Sequence, residues 1–353
     1  MDVFSDFVLP DDTVEDWARR RERMYHRVLA YFGSGPKGPP PLEPDVGPEE
    51  PGDGYTRRRV SYQVEPSARV PAYLFLPEGI SEPCPVVLCY HGTNPIGKEA
   101  VSGLRVDQNY AVELAQRGYV TLAPDQWASG ERRGVDDEPL HTANLYARHP
   151  GWSIEGKTAW DHMRAVDFLE QLPEADTERL GAIGLSRGGR ATIYHMLMDD
   201  RVKVGVPACG TPPYRCDPRL AQFAAGDRFV TIPKAMEEIR RGRVPGYDIH
   251  EVIALIAPRP LLLISPFVDQ FAPHGRALSD LAEKVGELYR LLGAGNNFAR
   301  FVHGEGHNTG PILRAAAYAW LDYHLKAEVP SLPGRNYGEG APGVTDAQPV
   351  ESR

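Results

Sequence analysis

The chain has 353 residues, of which 42% are hydrophobic and 25% charged, so it is long enough to bury a full core. Its 39 basic and 48 acidic residues leave a net charge of −9, which argues against a nucleic-acid partner because phosphate binding needs a concentrated basic surface. No run approaches the roughly 20 apolar residues of a membrane helix, and the acidic start does not resemble a secretory signal. We therefore expect a globular, cytoplasmic protein.

The first 55 residues are predicted to hold a helix followed by a linker. Apolar residues recur at helical spacing from 14 to 32, and Pro and Gly then interrupt every regular pattern over residues 33–54. We expect the helix to pack on its own domain, so the sequence does not indicate a homo-oligomer. Residues 327–353, rich in Pro, Gly and acidic residues, are predicted to form a tail that is either poorly ordered or a surface arm.

Residues 56–326 are predicted to form the catalytic domain, an α/β fold with a doubly wound, mostly parallel sheet and helices on both faces. Turn-bounded apolar or β-rich runs predict strands at 56–64, 70–76, 85–90, 119–123, 180–184, 203–207, 261–265 and 299–303. Helical patterns are centred near 107–117, 158–172, 187–198, 274–292 and 311–326. Two irregular stretches, 126–157 and 209–250, follow strands at the edge where such sheets bind ligands, so we expect them to wall a pocket.

Residues 184–188 carry the motif Gly-Leu-Ser-Arg-Gly between a predicted strand and a predicted helix. A sharp strand-to-helix turn of this kind leaves no room for side chains beside the serine and exposes its hydroxyl at a helix N-terminus. Ser186 is the predicted nucleophile, although a glycine-rich turn with an idle serine would carry the same letters. A serine here excludes the dehalogenase mechanism, which needs an aspartate.

A serine hydroxyl needs a base, and the base needs an acid that orients it; in this strand order both follow the nucleophile. His307, on a glycine-rich loop after the last predicted strand, is the predicted base, and His303 at the strand end is its competitor. Asp269, in the loop after the strand 261–265, is the predicted acid, with Asp248 the weaker candidate.

The negative charge of a tetrahedral intermediate needs backbone N–H donors. The predicted donors are Arg187, directly after the nucleophile, and Thr93 in the loop after strand 85–90. The Arg187 guanidinium has three open roles: a charged donor to the oxyanion, a partner for a substrate carboxylate, or a structural ion pair. His91 in the same loop is expected to hold the loop rather than to act as a base.

With these motifs in place, the chain resembles the dienelactone-hydrolase-like and acetylxylan-esterase-like branch of the α/β-hydrolase superfamily over roughly residues 55–326. Beyond the serine, aspartate and histidine motifs, the resemblance rests on His91-Gly92, Gly97 to Ala100, Ala123 to Asp125, Gly130 to Arg132 and Ala257 to Leu263. It implies an ester or lactone substrate. The cysteine nucleophile of true dienelactone hydrolases is absent, and the Ser186-Arg187 pair resembles that of glucuronoyl esterases.

We therefore predict a serine hydrolase that cleaves a small-molecule carboxylic ester, such as an acetyl or sugar-related ester, through an acyl-enzyme. It needs no metal or organic cofactor, and its activity falls below pH 7 because the base must be neutral. The same triad also fits amides, thioesters, lactones, C–C bonds or acyl transfer. An idle hydrolase fold used for binding is the alternative of another class.

Side chains of the two irregular stretches are candidates for contact with the substrate, although each also fits an ordinary wall or core position. These candidates are Trp127, Tyr146, Trp152, Cys209, Tyr214 and Tyr247. The other cysteines, at 84, 89 and 216, have no zinc-binding spacing, and a chain of this size needs no disulfide, so we expect free thiols.

Overall fold

The computed structural model describes residues 11–33, 35, 38–133, 138, 140–216, 228–271 and 275–327. Its strands are β1 (Asp45–Pro51), β2 (Tyr55–Glu65), β3 (Ala68–Pro77), β4 (Cys84–Tyr90), β5 (Val120–Pro124), β6 (Ala175–Leu185), β7 (Val204–Ala208), β8 (Leu261–Pro266) and β9 (Phe298–His303). Its α-helices are α1 (Val14–Phe32), α2 (Tyr110–Gln116), α3 (Ala143–Arg148), α4 (Ile154–Leu169), α5 (Arg187–Met198), α6 (Pro233–Arg240), α7 (Ile249–Ile256), α8 (Gly275–Leu291) and α9 (Pro311–Leu325).

The strands form one sheet in the order β1-β2-β3-β5-β4-β6-β7-β8-β9. The first three strands run antiparallel, β3 pairs antiparallel with β5, and the strands from β4 to β9 are parallel to one another. The carboxyl ends of the parallel strands therefore meet at one edge of the sheet, where open α/β sheets bind their ligands.

Two separate hydrophobic clusters cover the two faces of the sheet. The larger cluster takes its helical side chains from α1, α4, α5, α6, α7 and α8, and the smaller one from α2 and α9. The predicted doubly wound sheet with helices on both faces is confirmed. None of the helices in the described part of the chain has the length and apolar character that a membrane span requires.

Helix α1 packs on the domain that follows it, as the sequence predicts. Trp17, Met24, Val28 and Phe32 lie at helical spacing and are all at most 4% exposed within the larger cluster. Arg27 on the same helix pairs with Glu251 of α7. The helix begins with a capping box in which Thr13 and Asp16 bond to each other's backbone N–H groups.

The expectation of an irregular linker is wrong at residues 45–51, which form the edge strand β1. This strand is rich in Pro and Glu, so its composition hides it, but its glutamates meet arginines of β2 across the strand pair. Arg57 Nε donates to Glu50 Oε2 at 2.9 Å, and Arg58 pairs with Glu49. Charged side chains of this kind are common on edge strands, where they discourage pairing with other chains.

The two stretches expected to be irregular also contain helices that the prediction missed, namely α3, the first turn of α4 and α6, and the missed helix α7 begins at the end of the second stretch. These helices are short, and their start signals lie among many turn residues. Asp248, for example, caps α7 by accepting a hydrogen bond from Ile249 N at 2.7 Å. The predicted C-terminal tail lies outside the described residues from 328 onward.

Candidate active site

Ser186 lies in the turn between β6 and α5, in a backbone conformation that few non-glycine residues adopt, with φ 61° and ψ −116°. The flanking glycines are required by close packing. A Cβ at Gly184 would lie 2.3 Å from the carbonyl carbon of Gly188, and a Cβ at Gly188 would lie 2.1 Å from Tyr90 O. The strained turn is therefore fixed by its neighbours, as expected for a nucleophile elbow.

Asp269 and His307 come together at the carboxyl ends of β8 and β9. His307 Nδ1 lies 2.7 Å from Asp269 Oδ2, and the carboxylate is nearly fully buried. The other carboxylate oxygen accepts a hydrogen bond from Phe271 N at 2.8 Å, and the Phe271 ring contacts the imidazole edge-on at 4.8 Å between centroids. His307 and Ser186 line the same cavity, which has a volume of about 650 Å³.

The competing candidates are held elsewhere. Asp248 is engaged in capping α7, and it also accepts a hydrogen bond from Tyr214 N at 2.6 Å. His303 Nδ1 accepts from Glu305 N at 3.3 Å, at the end of its own strand. Of the predicted acids and bases, the structure thus brings His307 to the cavity that Ser186 lines, with Asp269 hydrogen-bonded to its imidazole.

Thr93 and Arg187, the predicted oxyanion donors, both line this cavity. The loop that carries Thr93 is held by His91, whose Nε2 accepts a hydrogen bond from Gln126 N at 3.0 Å. Its Nδ1 must then carry the proton that it donates to Gly92 O at 2.8 Å. Burial lowers the pKa of His91 to about 4, so the ring is neutral and holds the loop, as expected.

A second support of this sheet edge is an ion cluster, the lysine cluster, in which the buried Lys98 and Asp125 meet the half-exposed Glu131. Lys98 Nζ lies 2.8 Å from Asp125 Oδ2 and 2.5 Å from Glu131 Oε1. The Asp125 carboxylate also accepts hydrogen bonds from the backbone N–H groups of Lys98 at 2.8 Å and Glu131 at 3.0 Å. It therefore ties the loop after β4 to the loop after β5.

The Arg187 side chain points into a buried position beside the nucleophile and is 5% exposed. Its Nη1 donates to Trp127 O at 2.9 Å, while Nε and Nη2 have no hydrogen-bond partner among the described residues. The guanidinium carbon lies 5.1 Å from the centre of the Phe229 ring. Burial lowers the pKa of Arg187 to about 10, so the group is still a cation at neutral pH.

Glu155 and Arg190 line the same cavity, and neither was identified from the sequence. Glu155 is 1% exposed, and within the described part of the chain its two carboxylate oxygens meet no hydrogen-bond donor. Arg190 Nε is also buried without an acceptor there. Burial raises the pKa of Glu155, and the positive charges of Arg190 and Arg187 oppose that rise. We call Arg187, Arg190 and Glu155 the polar floor.

One signal for the polar floor was present in the sequence. Arg187 and Arg190 both occupy the first turn of α5, where the helix dipole disfavours cations, so their presence there needs a compensating use. Glu155 gave no comparable signal, because a glutamate in the first turn of a helix is ordinary. Glu155 becomes a candidate site residue only in the fold, which buries the first turn of α4.

The candidate pocket residues divide into two groups. Cys209 and Tyr214 line the cavity. The structure does not bring the other candidates to its surface: Trp127 packs with Leu145 and Ile154 in a small cluster, and the Tyr146 hydroxyl donates to Val230 O at 2.5 Å. Their aromatic side chains pack in the structure that supports the cavity wall instead. The remaining two such candidates are Trp152 and Tyr247, both at most 5% exposed.

Cys209 directly follows β7 and adopts a φ of 53°. One ligand atom each from Cys209, Asp269 and His307 lie within 4.8 Å of one another. Burial, followed by the charge of Asp269, raises the pKa of the thiol to about 12, so it is protonated at neutral pH and is not a competing nucleophile.

Comparison with known proteins finds esterases and a putative hydrolase among the similar proteins. A solved glucuronoyl esterase from Solibacter usitatus superposes with a TM-score of 0.71 at 21% identity, covering 90% of this chain and 96% of that one. The putative hydrolase YtaP of Bacillus subtilis is 26% identical over 263 residues, which are 73% of this chain and 84% of YtaP. The 4-O-methyl-glucuronoyl methylesterase of Thermothelomyces thermophilus is 29% identical over 169 residues, 42% of this chain and 41% of that esterase.

The family model described as "Glucuronyl esterase, fungi" matches residues 62–293. These 232 of 353 residues run from β2 through α8, and they include the elbow, the polar floor and the loop of Asp269. The expected resemblance is thereby confirmed: the chain belongs to the glucuronyl esterase family and is a carboxylic ester hydrolase with the α/β-hydrolase fold.

Proposed function

We propose that this protein hydrolyses esters of a sugar acid, in which a uronic acid supplies the acyl group. The observation that carries the proposal is the polar floor: Glu155, Arg187 and Arg190 line the cavity beside Ser186, and each has buried side-chain polar atoms without a hydrogen-bond partner among the described residues. Buried polar groups normally have hydrogen-bond partners, so unpartnered ones lining a cavity are suited to a ligand that supplies them.

The chemistry of a sugar ring fits these groups. Ring hydroxyls both donate and accept hydrogen bonds, so one hydroxyl can donate to Glu155 while a neighbouring one accepts from Arg190. An acetyl group has no hydroxyls and would leave the floor unsatisfied. The names of the family and of the two esterases described above, all of them glucuronate esterases, support the same acid part.

In the proposed mechanism, His307 takes the proton of the Ser186 hydroxyl as the oxygen attacks the ester carbonyl. Asp269 holds the imidazole through the 2.7 Å hydrogen bond and stabilises its cation. The imidazolium then gives its proton to the leaving alcohol. Water, activated by the same histidine, adds to the acyl-enzyme, and the sugar acid leaves as Ser186 recovers its proton.

The tetrahedral intermediates carry a negative oxygen that needs donors fixed before the reaction. In our proposal the backbone N–H groups of Arg187 and Thr93 supply two of them. The Arg187 guanidinium supplies a third, charged one, since its Nε and Nη2 atoms are buried without partners in the described structure. Of its three open roles, we thus favour the donor to the oxyanion.

The first test is Ser186→Ala, assayed on the methyl ester of glucuronic acid. We expect kcat to fall by roughly 10⁴-fold or more, because no other group replaces the nucleophile. The wild-type protein should also react with a fluorophosphonate probe at Ser186, and the variant should not. Undiminished turnover in the variant would overturn the assignment of the nucleophile, and absent labelling of the wild type would favour an idle hydrolase fold.

A further inference from the structure

Three side chains of different chemistry meet at the carboxyl ends of β7, β8 and β9. Cys209 offers a thiol sulfur, Asp269 a carboxylate oxygen and His307 a ring nitrogen, all within 4.8 Å of one another. Sulfur, nitrogen and oxygen are the three ligand types that Zn²⁺ takes in proteins. The ester hydrolysis described above uses Asp269 and His307 but leaves the thiol without a role.

We propose that Cys209, Asp269 and His307 bind a thiophilic divalent cation of the Zn²⁺ type, and that the bound ion blocks ester hydrolysis. The blocking half of this proposal rests on the proposed function, because it follows from the roles of Asp269 and His307 there. The binding half stands on the arrangement of the three ligand atoms alone.

The spacing is close to what such an ion needs. Around a tetrahedral zinc with Zn–S near 2.3 Å and Zn–N near 2.0 Å, neighbouring ligand atoms are roughly 3.5 Å apart. The observed upper limit of 4.8 Å exceeds this by about 1.3 Å, so binding requires small side-chain rotations that bring the ligand atoms closer together. Cys209 and His307 line the cavity, so an ion can enter from it and take a water molecule as its fourth ligand.

The backbone supports a use for the thiol. Cys209 has a φ of 53°, a conformation in which glycine or asparagine is the ordinary choice, and strained residues of this kind cluster at functional sites. Its Sγ contacts Asn308 O at 3.8 Å, next to His307. The sulfur therefore lies against the loop that carries the histidine.

Binding and catalysis exclude each other at this site. The cation takes the sulfur as a thiolate, and the thiol proton passes to solvent. It also takes a ring nitrogen of His307 and an oxygen of Asp269, so the 2.7 Å hydrogen bond between them cannot serve to orient a free base. Ester hydrolysis stops until a chelator removes the ion.

The binding test uses Co²⁺ as an optical probe of the full-length, chelator-treated protein. A thiolate bound to Co²⁺ gives a charge-transfer absorption in the near ultraviolet, which a serine ligand cannot give. We expect this absorption in the wild type and in Cys216→Ser, whose half-buried thiol is the matched control. Cys209→Ser and Cys209→Ala should lack it, and Zn²⁺ should abolish it in the wild type. The same absorption in both Cys209 variants would overturn the site.

The inhibition test measures ester hydrolysis against Zn²⁺ concentration, each variant relative to its own metal-free rate. The concentration for half inhibition should rise at least tenfold in Cys209→Ser but stay unchanged in Cys216→Ser, and a chelator should restore the wild-type rate. Equal inhibition of wild type and Cys209→Ser would overturn the blocking role. If Ser186→Ala were fully active, the proposed function would fail, yet the Co²⁺ absorption would still report on the cation site.

Discussion

Two buried groups of charges lie at the same edge of the sheet, and they differ in how their charges are satisfied. In the lysine cluster, Lys98 meets two carboxylates, and Asp125 also binds two backbone N–H groups. In the polar floor, Glu155 has neither oxygen bonded within the described structure, and Arg187 has one bonded nitrogen, on Trp127 O. Burial alone therefore does not distinguish a structural charge from a functional one.

The difference teaches what each group is for. A buried charge with opposite charges and N–H groups around it offsets its desolvation and fixes the loops that supply those groups. A buried charge without partners costs stability in the free protein. The chain tolerates that cost beside Ser186, where a substrate can complete the missing hydrogen bonds.

Asp125→Asn tests the structural side of the comparison and has the largest expected effect on stability. Removing the charge leaves Lys98, within the described part of the chain, with the half-exposed Glu131 as its remaining ion-pair partner. We expect the free energy of unfolding to fall by about 3–5 kcal/mol, measured by denaturant titration. Glu237→Gln, which removes an exposed pair with Arg241, should cost less than about 1 kcal/mol. A loss as small as the control's would show that the lysine cluster does not hold the edge.

Arg187→Met tests the catalytic side. Methionine has a similar length and can pack against the Phe229 ring that the guanidinium now covers, but it removes the charged donor, so kcat on a glucuronate methyl ester should fall by about 10²–10³-fold with little change in the melting temperature. Arg241→Met, on an exposed arginine, should leave kcat unchanged. A rise in KM at constant kcat would contradict the oxyanion role and indicate uniform substrate binding.

Glu155→Gln should have a smaller effect on activity and the opposite effect on stability. It weakens the acceptor for a sugar hydroxyl, so kcat/KM for the glucuronate ester should fall by roughly 10- to 100-fold. Because it removes an unpartnered buried charge, the melting temperature should stay the same or rise. A clear loss of stability would mean that the charge of Glu155 has a structural role, like the charges of the lysine cluster.

The smallest expected effect is the pH dependence of the melting temperature of Glu155→Gln relative to wild type. Burial raises the pKa of Glu155 above its unfolded value, so its contribution to stability is present below the unfolded pKa and is lost as pH rises through the folded pKa. The melting temperature of Glu155→Gln relative to wild type should therefore increase as pH rises above about 4.5, the unfolded pKa of a glutamate. Thermal unfolding at several pH values measures this, and a decreasing difference would contradict it.

The sequence predicted the features that local patterns encode. Apolar runs bounded by turns gave the strands from β2 to β9, and the five-residue motif around Ser186 gave the elbow. Edge strand β1 was not predicted, because its own composition is typical of linkers. The side chains that pair with it are arginines of β2, ten or fewer residues away in the sequence. Such strands are stabilised by pairing rather than by an apolar pattern.

The polar floor was missed for a different reason. Glu155 and Arg190 are 35 positions apart in the sequence, and only the packing of α4 against α5 brings both to the cavity. Whether a buried polar atom has a partner depends on every neighbouring element. Trp127 and Tyr146 show the converse. Both lie in a stretch of sequence predicted to wall the pocket, but in the fold they pack in a small hydrophobic cluster instead.

The central claim is that the polar floor binds the hydroxyls of a sugar acid. The most direct measurement compares kcat/KM of the wild type on methyl glucuronate and on methyl cyclohexanecarboxylate, which has the same ring size and ester but no hydroxyls. We predict at least a roughly 100-fold preference for the glucuronate, and a preference reduced at least tenfold in Glu155→Gln and Arg190→Met. Equal kcat/KM values for the two esters in the wild type would contradict the account.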